Sequence, residues 1–396
     1  MKKFTNETLS ELLNTFLDNT MEQYDLPGLA IGISIGGIAD GDAPCQFTGV
    51  RGYRNNETKV SLAPEDIFHC ASVSKLFTSS AILKLIEGGA LNLEDRLADL
   101  LPDLEIDDKR FLNIRLWNLL THTSGLGDCD DYHWDTPEFD EDALKRYVYS
   151  DEVRLQPMRW EPQADPESPA NSDSSGSKFS YSNPAYEILG HIVSEYSAAL
   201  SDEHSAGKLS FEDFVARYLM EPAGMSCSSM KTYEREGWAS LSSEMPETMV
   251  FPHEKGVDRS INIVTFYPYT RQHAPSSTLT SNPGDLLKWG RANIKSSRDA
   301  ADAILSPDTY KQAWQEYATV PNNGEKMGLG WFMRKQKIET GDTKNEFTLL
   351  GHEGTDDGFR SSFWICPELD LVITVLCNLT GAPTKRICRH LLTGLF

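Results

Sequence analysis

The chain has 396 residues, of which 39% are hydrophobic and 24% charged, and its 28 Gly and 20 Pro follow no period. That composition excludes collagen-like and wholly disordered chains, and at ~150 residues per domain it allows two or three folding units or one large two-lobed unit. Thirty-seven Lys and Arg against 59 Asp and Glu leave a formal charge of −22, which repels phosphate backbones and anionic lipid and argues against nucleic-acid and membrane partners.

Helical spacing of Leu9, Leu12, Leu13, Phe16, Leu17 and Met21 predicts an amphipathic helix over Asn6 to Gln23. The preceding residues turn polar too soon for a signal peptide. Gly28 to Ile35 and Gln46 to Tyr53 read as a strand hairpin. Two apolar stretches, Leu26 to Ala39 and Leu371 to Leu379, fall well short of the ~20 residues a spanning helix needs. A long buried helix starts near Ser72 and stops at Gly88-Gly89.

From Asp95 to about Trp289 the pattern is predominantly helical, except for residues 127–178, which are rich in Asp, Glu, Pro and Ser. That segment reads as a solvated insertion or as a lid over a pocket. Asn282-Pro283-Gly284-Asp285 opens another helix with an N-cap, a proline and an early acid. Strands follow at Gly328 to Lys335, Phe347 to Gly351, Ser361 to Ile365 and Leu371 to Asn378, then a helix from Pro383 to Leu395. The expected class is α+β. Residues 1–90 and 290–396 build a mainly antiparallel sheet flanked by the N- and C-terminal helices, and residues 91–289 form an inserted, mostly helical lobe. Seven cysteines, odd in number and without a C-x-x-C pair, suggest neither a disulfide framework nor a zinc site and fit a reducing cytoplasm.

Gly32-Ile33-Ser34-Ile35-Gly36 spells a nucleophile-elbow motif, but a strand and an acidic loop follow it where the motif needs a helix. The spacing S-x-x-K occurs at Ser72/Lys75, Ser175/Lys178, Ser205/Lys208 and Ser228/Lys231. Only Ser72 begins an apolar helix, on which i and i+3 share a face and the Lys75 amine reaches the Ser72 hydroxyl. A desolvated lysine can take a serine proton, and a helix N-terminus favours the negative charge that develops there. The local alternative is a helix-start serine beside a surface lysine. Tyr181-Ser182-Asn183 precedes a helix running from Ala185 to Tyr196, whereas the other Y-x-N, at Tyr53 to Asn55, enters a charged turn. His352-Glu353-Gly354 falls at a strand end among glycines.

With these blocks in order, the chain resembles the serine β-lactamase and penicillin-binding-protein-related hydrolases, particularly the class C β-lactamase, DD-peptidase and esterase branch. The blocks are Phe68 to Lys75, Trp117 to Leu126, Phe179 to Pro184 and Gly351 to Gly354. The resemblance implies a β-lactamase/transpeptidase-like fold with Ser72 as nucleophile, Lys75 as its base and Tyr181 as proton shuttle. Asn183 would hold Lys75 and a substrate amide. His352 and Gly354 belong to the third block, and the backbone amides of Ser72 and Thr355 would form the oxyanion hole. Which of Lys75 and Tyr181 takes the first proton stays open.

One departure bears on substrate. The third block is neither Lys-Thr-Gly nor Lys-Ser-Gly, and Glu353 replaces the hydroxyl residue that would help bind a substrate carboxylate. Unless it points away, that anion repels β-lactams and free peptide C-termini. The expected activity is therefore metal- and cofactor-independent hydrolysis of a small ester, amide or short peptide, of the carboxylesterase or D-amino-acid peptidase/amidase type. The alternatives are a true β-lactamase, a DD-carboxypeptidase or a penicillin-binding sensor without turnover. Oligomeric state is left open. Among the remaining residues, His122 reads as a structural hydrogen-bonder, Cys70 as packing and Trp331 as strand core rather than pocket wall. Asp128, Asp130 and Asp131 lack calcium-loop spacing and read as a solvated acidic loop.

Overall fold

A computed structural model describes residues 4–38, 43–164, 178–200, 207–233, 247–321, 323–340 and 343–396. Residues 165–177 of the acidic segment lie outside them, as do Ser175 and Ser205 of the S-x-x-K copies.

Helix α1 (Asn6–Tyr24) is capped by Thr5, ends at Asp25 in the left-handed region and buries Leu9, Leu13 and Leu17. Strands β1 (Gly28–Ile35), β2 (Cys45–Asn55) and β3 (Val60–Ser61) follow. Late in the chain come β4 (Ala318–Thr319), β5 (Lys326–Met327), β6 (Phe332–Thr340), β7 (Thr343–Asp356), β8 (Phe359–Cys366) and β9 (Leu371–Cys377). They form one antiparallel sheet in the order β3-β2-β1-β9-β8-β7-β6-β5-β4. The β-branched run of β9 is buried at every residue, as expected of a strand covered on both faces.

Besides α1, the long helices are α2 (Ser74–Glu87), α3 (Asn183–Tyr196), α4 (Pro283–Ser296) and α5 (Thr384–Leu395). Alternation along the strands sends Ile31, Trp364 and Ile373 into one core with α1 and α5. Ala30, Phe363 and Val372 enter a second core with α2, α3 and α4. Most of α2 is buried, so it is a core helix that meets solvent only near its C-terminal end. Its polar residues bond to carbonyls: Ser80 to Leu76 at 2.8 Å, Thr78 to Pro275 at 2.6 Å and Ser79 to Leu329 at 2.6 Å. Phe77 stacks on Trp289 of α4 with ring centroids 4.3 Å apart.

Two expectations need correction. Gly328 to Trp331 is a turn between β5 and β6, not strand: Gly330 has φ +84°, and a Cβ there would meet Ser79 Cβ at 2.3 Å. The stretch from Asp95 to Trp289 is less helical than its pattern suggests. Short helices such as Leu116–Leu120 and Ala143–Val148 alternate with turns, and His253–Lys255 pairs with Ile261–Ile263 as a small ribbon. Side chains there satisfy backbone groups that a longer helix would otherwise pair; Asn118, for example, bonds the Gln163 carbonyl and the Arg115 amide. Among the described residues, no helix is long and apolar enough to cross a membrane.

Phe77 joins the helix carrying Lys75 to α4. Phe77→Ala is expected to lower the unfolding free energy by about 3–5 kcal/mol, measured by urea denaturation.

Candidate active site

Ser72 lies in a single 3₁₀ turn (Ala71–Val73) that runs directly into α2. Ala71 holds φ +49°, a left-handed conformation that costs an L-residue roughly 1–2 kcal/mol and turns the chain from the buried Phe68–His69 pair into the helix. Ser72 is partly exposed among buried neighbours and faces a cavity of about 460 Å³. Lys75, one turn on, is fully buried. Its Nζ lies 3.1 Å from Ser72 Oγ, 2.5 Å from Asn183 Oδ1 and 2.9 Å from the Ser276 carbonyl. The last two atoms can only accept, so a neutral amine spends both N–H groups on them and its lone pair is left for the Ser72 hydroxyl. Burial lowers the Lys75 pKa to about 8, against the pull of the Glu187, Asp128 and Asp356 carboxylates.

The second block is set by the start of α3. Ser182 is its N-cap, accepting from the Ala185 amide, and donates to the Gly127 carbonyl at 2.7 Å. Asp128 Oδ1 then accepts from both the backbone and the side-chain nitrogen of Asn183, each at 2.9 Å, an anion at a helix N-terminus. Asn183 Nδ2 also donates to the Tyr132 hydroxyl. Both of its amide protons are therefore engaged, and a substrate carbonyl would have to displace one partner.

The Tyr181 ring lies under Lys75, 4.9 Å from Nζ, and its phenol is close enough to Ser72 to feel the hydroxyl. Burial nonetheless pushes the phenol well above its ordinary pKa. His122 packs on the Tyr181 ring at 4.4 Å, and its Nδ1 accepts from the Ser182 amide at 3.2 Å. Burial and the nearby Lys75 hold its imidazole neutral.

The third block lies on β7 where that strand outruns its neighbour. Pairing of β6 with β7 ends at Phe332 and Gly351, while pairing with β8 continues to Asp356 and Phe359. Residues 352–356 thus have a strand on one side only. Nothing larger than glycine fits at 354, since a Cβ would sit 2.0 Å from Ser361 Oγ and 2.3 Å from the Cys70 carbonyl. This close approach brings β7 onto the Ser72 turn. His352 Nδ1 donates to the Glu353 carbonyl at 2.5 Å, leaving Nε2 a lone-pair acceptor, buried and without a partner. Burial, then Lys75, lowers its pKa to about 3.

Glu353, by strand alternation, turns to the opposite face from Gly354. It accepts from Trp364 Nε1 at 3.0 Å and Arg334 Nη2 at 3.2 Å. Arg334 also bonds Glu325 at 2.7 Å and lies 4.0 Å over the Trp364 ring. Glu353 therefore sits at the cavity margin against Arg334, with burial still pushing its carboxyl above the usual range, and is not a free anion facing Ser72. Thr355 is exposed and lines the cavity.

The structure thus brings Ser72, Lys75, Tyr181, Asn183, His352, Gly354 and Thr355 into one cleft. It leaves the competing motifs elsewhere. Ser34 Oγ is held within the sheet by Gln46 and Arg291. Ser228 bonds Asp285 while Lys231 bonds Asp213. Asn55 caps the turn at Glu57 and Thr58. Cys70 is buried with its thiol pKa pushed up, and Trp331 is buried against Trp314 although it lies in a turn. Asp128 is a correction: Asp130 and Asp131 are exposed, but Asp128 is bound to Asn183. Among the described residues, no group of three His, Cys, Asp or Glu side chains converges as a metal site.

The sequence passes over Asp356, and it places Asp128 only in a solvated acidic loop. Asp356 had a signal, because a period of two puts it on the same face as His352 and Gly354. Asp128 had none, since 55 residues separate it from Asn183.

Compared with known proteins, residues 13–393 match the Beta-lactamase family model. The chain belongs to that family. It is 23% identical over 404 residues to Protein flp of Staphylococcus aureus (strain COL), covering 99% of this chain and 68% of that protein. The octameric penicillin-binding protein homologue from Pyrococcus abyssi superposes with a TM-score of 0.73 at 22% identity, covering 97% of this chain and 76% of that one. The D-amino acid amidase from Ochrobactrum anthropi SV3, complexed with L-phenylalanine amide, superposes with a TM-score of 0.67 at 18% identity over 98% of this chain and 97% of that one. These likenesses establish the β-lactamase-like fold.

In this Beta-lactamase family chain, Gly354→Ala must push β7 off the Ser72 turn. The expected result is a loss of about 1–3 kcal/mol in stability, read by thermal denaturation.

Proposed function

We propose that the protein is a serine hydrolase that forms an acyl-enzyme on Ser72 and acts on esters or amides, of the carboxylesterase or D-amino-acid peptidase/amidase type. The observation that carries this reading is the buried Lys75 amine, 3.1 Å from Ser72 Oγ, with two obligate acceptors on its other sides. In acylation Lys75 takes the hydroxyl proton as Oγ bonds to the acyl carbon. The backbone amides of Ser72 and Thr355 hold the oxyanion; Ser72 opens the helix and Thr355 lies on the unpaired edge of β7. As the scissile C–O or C–N bond breaks, Tyr181 gives the leaving group its proton and is replenished from Lys75. Water then attacks the acyl carbon, its proton returns along the same path, and Ser72 departs as the hydroxyl.

The opposite shifts of the two groups favour this division of labour. Lys75, lowered to about 8, holds a useful fraction of free amine near neutrality, whereas the raised Tyr181 phenol keeps its proton until the leaving group needs it. An amidase among the structural neighbours supports the amide reading. Penicillins carry a carboxylate, and no Lys or Arg lines the cavity among the described residues. Weak or absent β-lactam hydrolysis follows.

Intact mass with peptide mapping tests the reading: a fluorophosphonate should add one adduct on Ser72, a penicillin little or none, and Ser72→Ala should lose the adduct and all turnover. Efficient nitrocefin hydrolysis would refute the substrate preference. A second test is pH. Because Lys75 must be unprotonated, kcat/KM should rise about tenfold per unit below pH ~8 and level off above it. A flat profile from pH 6 to 9 would remove Lys75 as the base.

A further inference from the structure

Neither Glu187 nor His273 lines the cleft, and the proposed reaction leaves both unused. Their side chains are wholly buried and meet at 3.1 Å between Glu187 Oε1 and His273 Nδ1. The other two polar atoms, Glu187 Oε2 and His273 Nε2, are buried without a hydrogen bond among the described residues. A doubly protonated ring would bury an unpaired N–H, so the imidazole carries its proton on Nδ1 and donates it to the carboxylate. The negative charge therefore stays on Glu187. A buried carboxylate with one hydrogen bond is costly unless a cation balances it.

Two observations tie the pair to Lys75. On α3, Asn183, Glu187 and Gly190 share one face. Asn183 supplies one acceptor for Lys75 Nζ, and the other is the carbonyl of Ser276, in the turn Ala274–Ser277 that directly follows His273. The Glu187–His273 bond thus joins the two segments whose acceptors hold the amine. They approach closely beside it, since a Cβ at Gly190 would lie 2.0 Å from Pro275 Cγ. The rings of Tyr132, Trp134 and Tyr147 surround His273 with centroids at 5.3, 5.9 and 4.5 Å, which leaves the imidazole little room to turn away. The second observation is charge. Of the carboxylates that pull on Lys75, Glu187 is the strongest, ahead of Asp128 and Asp356. The other ionisable groups around them bring no competing charge. Burial raises Tyr181 and Tyr186 of α3 and also Cys129, Tyr132 and Tyr147, while His122 and His352 are held neutral.

We propose that Glu187 and His273 are positioning residues for the reaction at Ser72: their bond fixes the Asn183 and Ser276 acceptors around Lys75, and the Glu187 carboxylate is the buried countercharge of the Lys75 ammonium. The proposal rests on the acyl-enzyme reading, and no bond forms or breaks at either residue. Burial alone would leave the Lys75 amine too weak a base, and the carboxylate behind its acceptors restores part of its strength.

The test is the rate at which a fluorophosphonate labels Ser72, followed by intact mass between about pH 5.5 and pH 9.5, with thermal denaturation to show that each variant is folded. In wild-type protein, labelling rises to a plateau as Lys75 loses its proton. Glu187→Gln keeps the size and the acceptor but removes the charge that favours the ammonium. Its midpoint should fall by about one pH unit, so that labelling near pH ~6 gains about tenfold relative to the plateau. His273→Phe keeps a ring but withdraws the donor; the stranded carboxyl takes up a proton and the midpoint falls as well, which tests the same claim where the Gln variant does not fold. His273→Asn keeps a donor near the Nδ1 position and should leave the midpoint at its wild-type value. A midpoint unmoved or raised in either folded loss variant, with labelling slowed equally at every pH, overturns the proposal. So does a midpoint that His273→Asn lowers as far as they do. Failure of the fluorophosphonate to label wild-type Ser72 would instead remove the acyl-enzyme reading itself.

Discussion

Lys75 Nζ has no contact with solvent, and a buried ammonium left without partners costs several kcal/mol. The surrounding structure is organised around that constraint. Two fixed acceptors hold the amine, Tyr181 and Tyr186 offer ring faces 4.9 and 5.5 Å away, and the carboxylates of Glu187, Asp128 and Asp356 act on it from a distance. The balance keeps the amine between two limits. Without those carboxylates burial would keep it neutral, and with a direct carboxylate contact it would stay charged.

Three parts of the chain must meet for this environment to exist. The mostly buried α2 places Lys75 one turn beyond Ser72. The N-terminus of α3, capped by Ser182 and anchored by Asp128, presents Asn183 to the amine and Tyr181 to the hydroxyl. The free edge of β7 closes the third side, and it approaches closely only because position 354 has no side chain. Each contact is short-range, so a shift of about 1 Å in any one part would misplace the reacting groups.

The cleft's polarity follows from the same packing. Arg334 is drawn to Glu325, Glu353 and the Trp364 face, so its charge is spent at the cavity margin. His122 and His352, kept neutral by burial and by Lys75, add no positive charge. Asp128 and Asp356 then dominate the end of the cavity beyond Asn183.

Local relations were legible without coordinates. The Ser72–Lys75 pair is one helical turn, the period of α1 is carried by its leucines, β1 is a continuous apolar run, and the α4 start is spelled by Asn282-Pro283. Each depends on a few neighbouring residues and on the fixed geometry of helix or strand. Tertiary structure alone decided what those groups experience. Asp128 caps Asn183 across 55 residues and Asp356 meets His69 across 287, Glu353 meets Arg334 at the cavity margin, and Gly328 to Trp331 bends against Ser79 rather than continuing a strand. Dielectric and charge at a site are sums over everything packed around it, and that sum exists only once distant segments have come together.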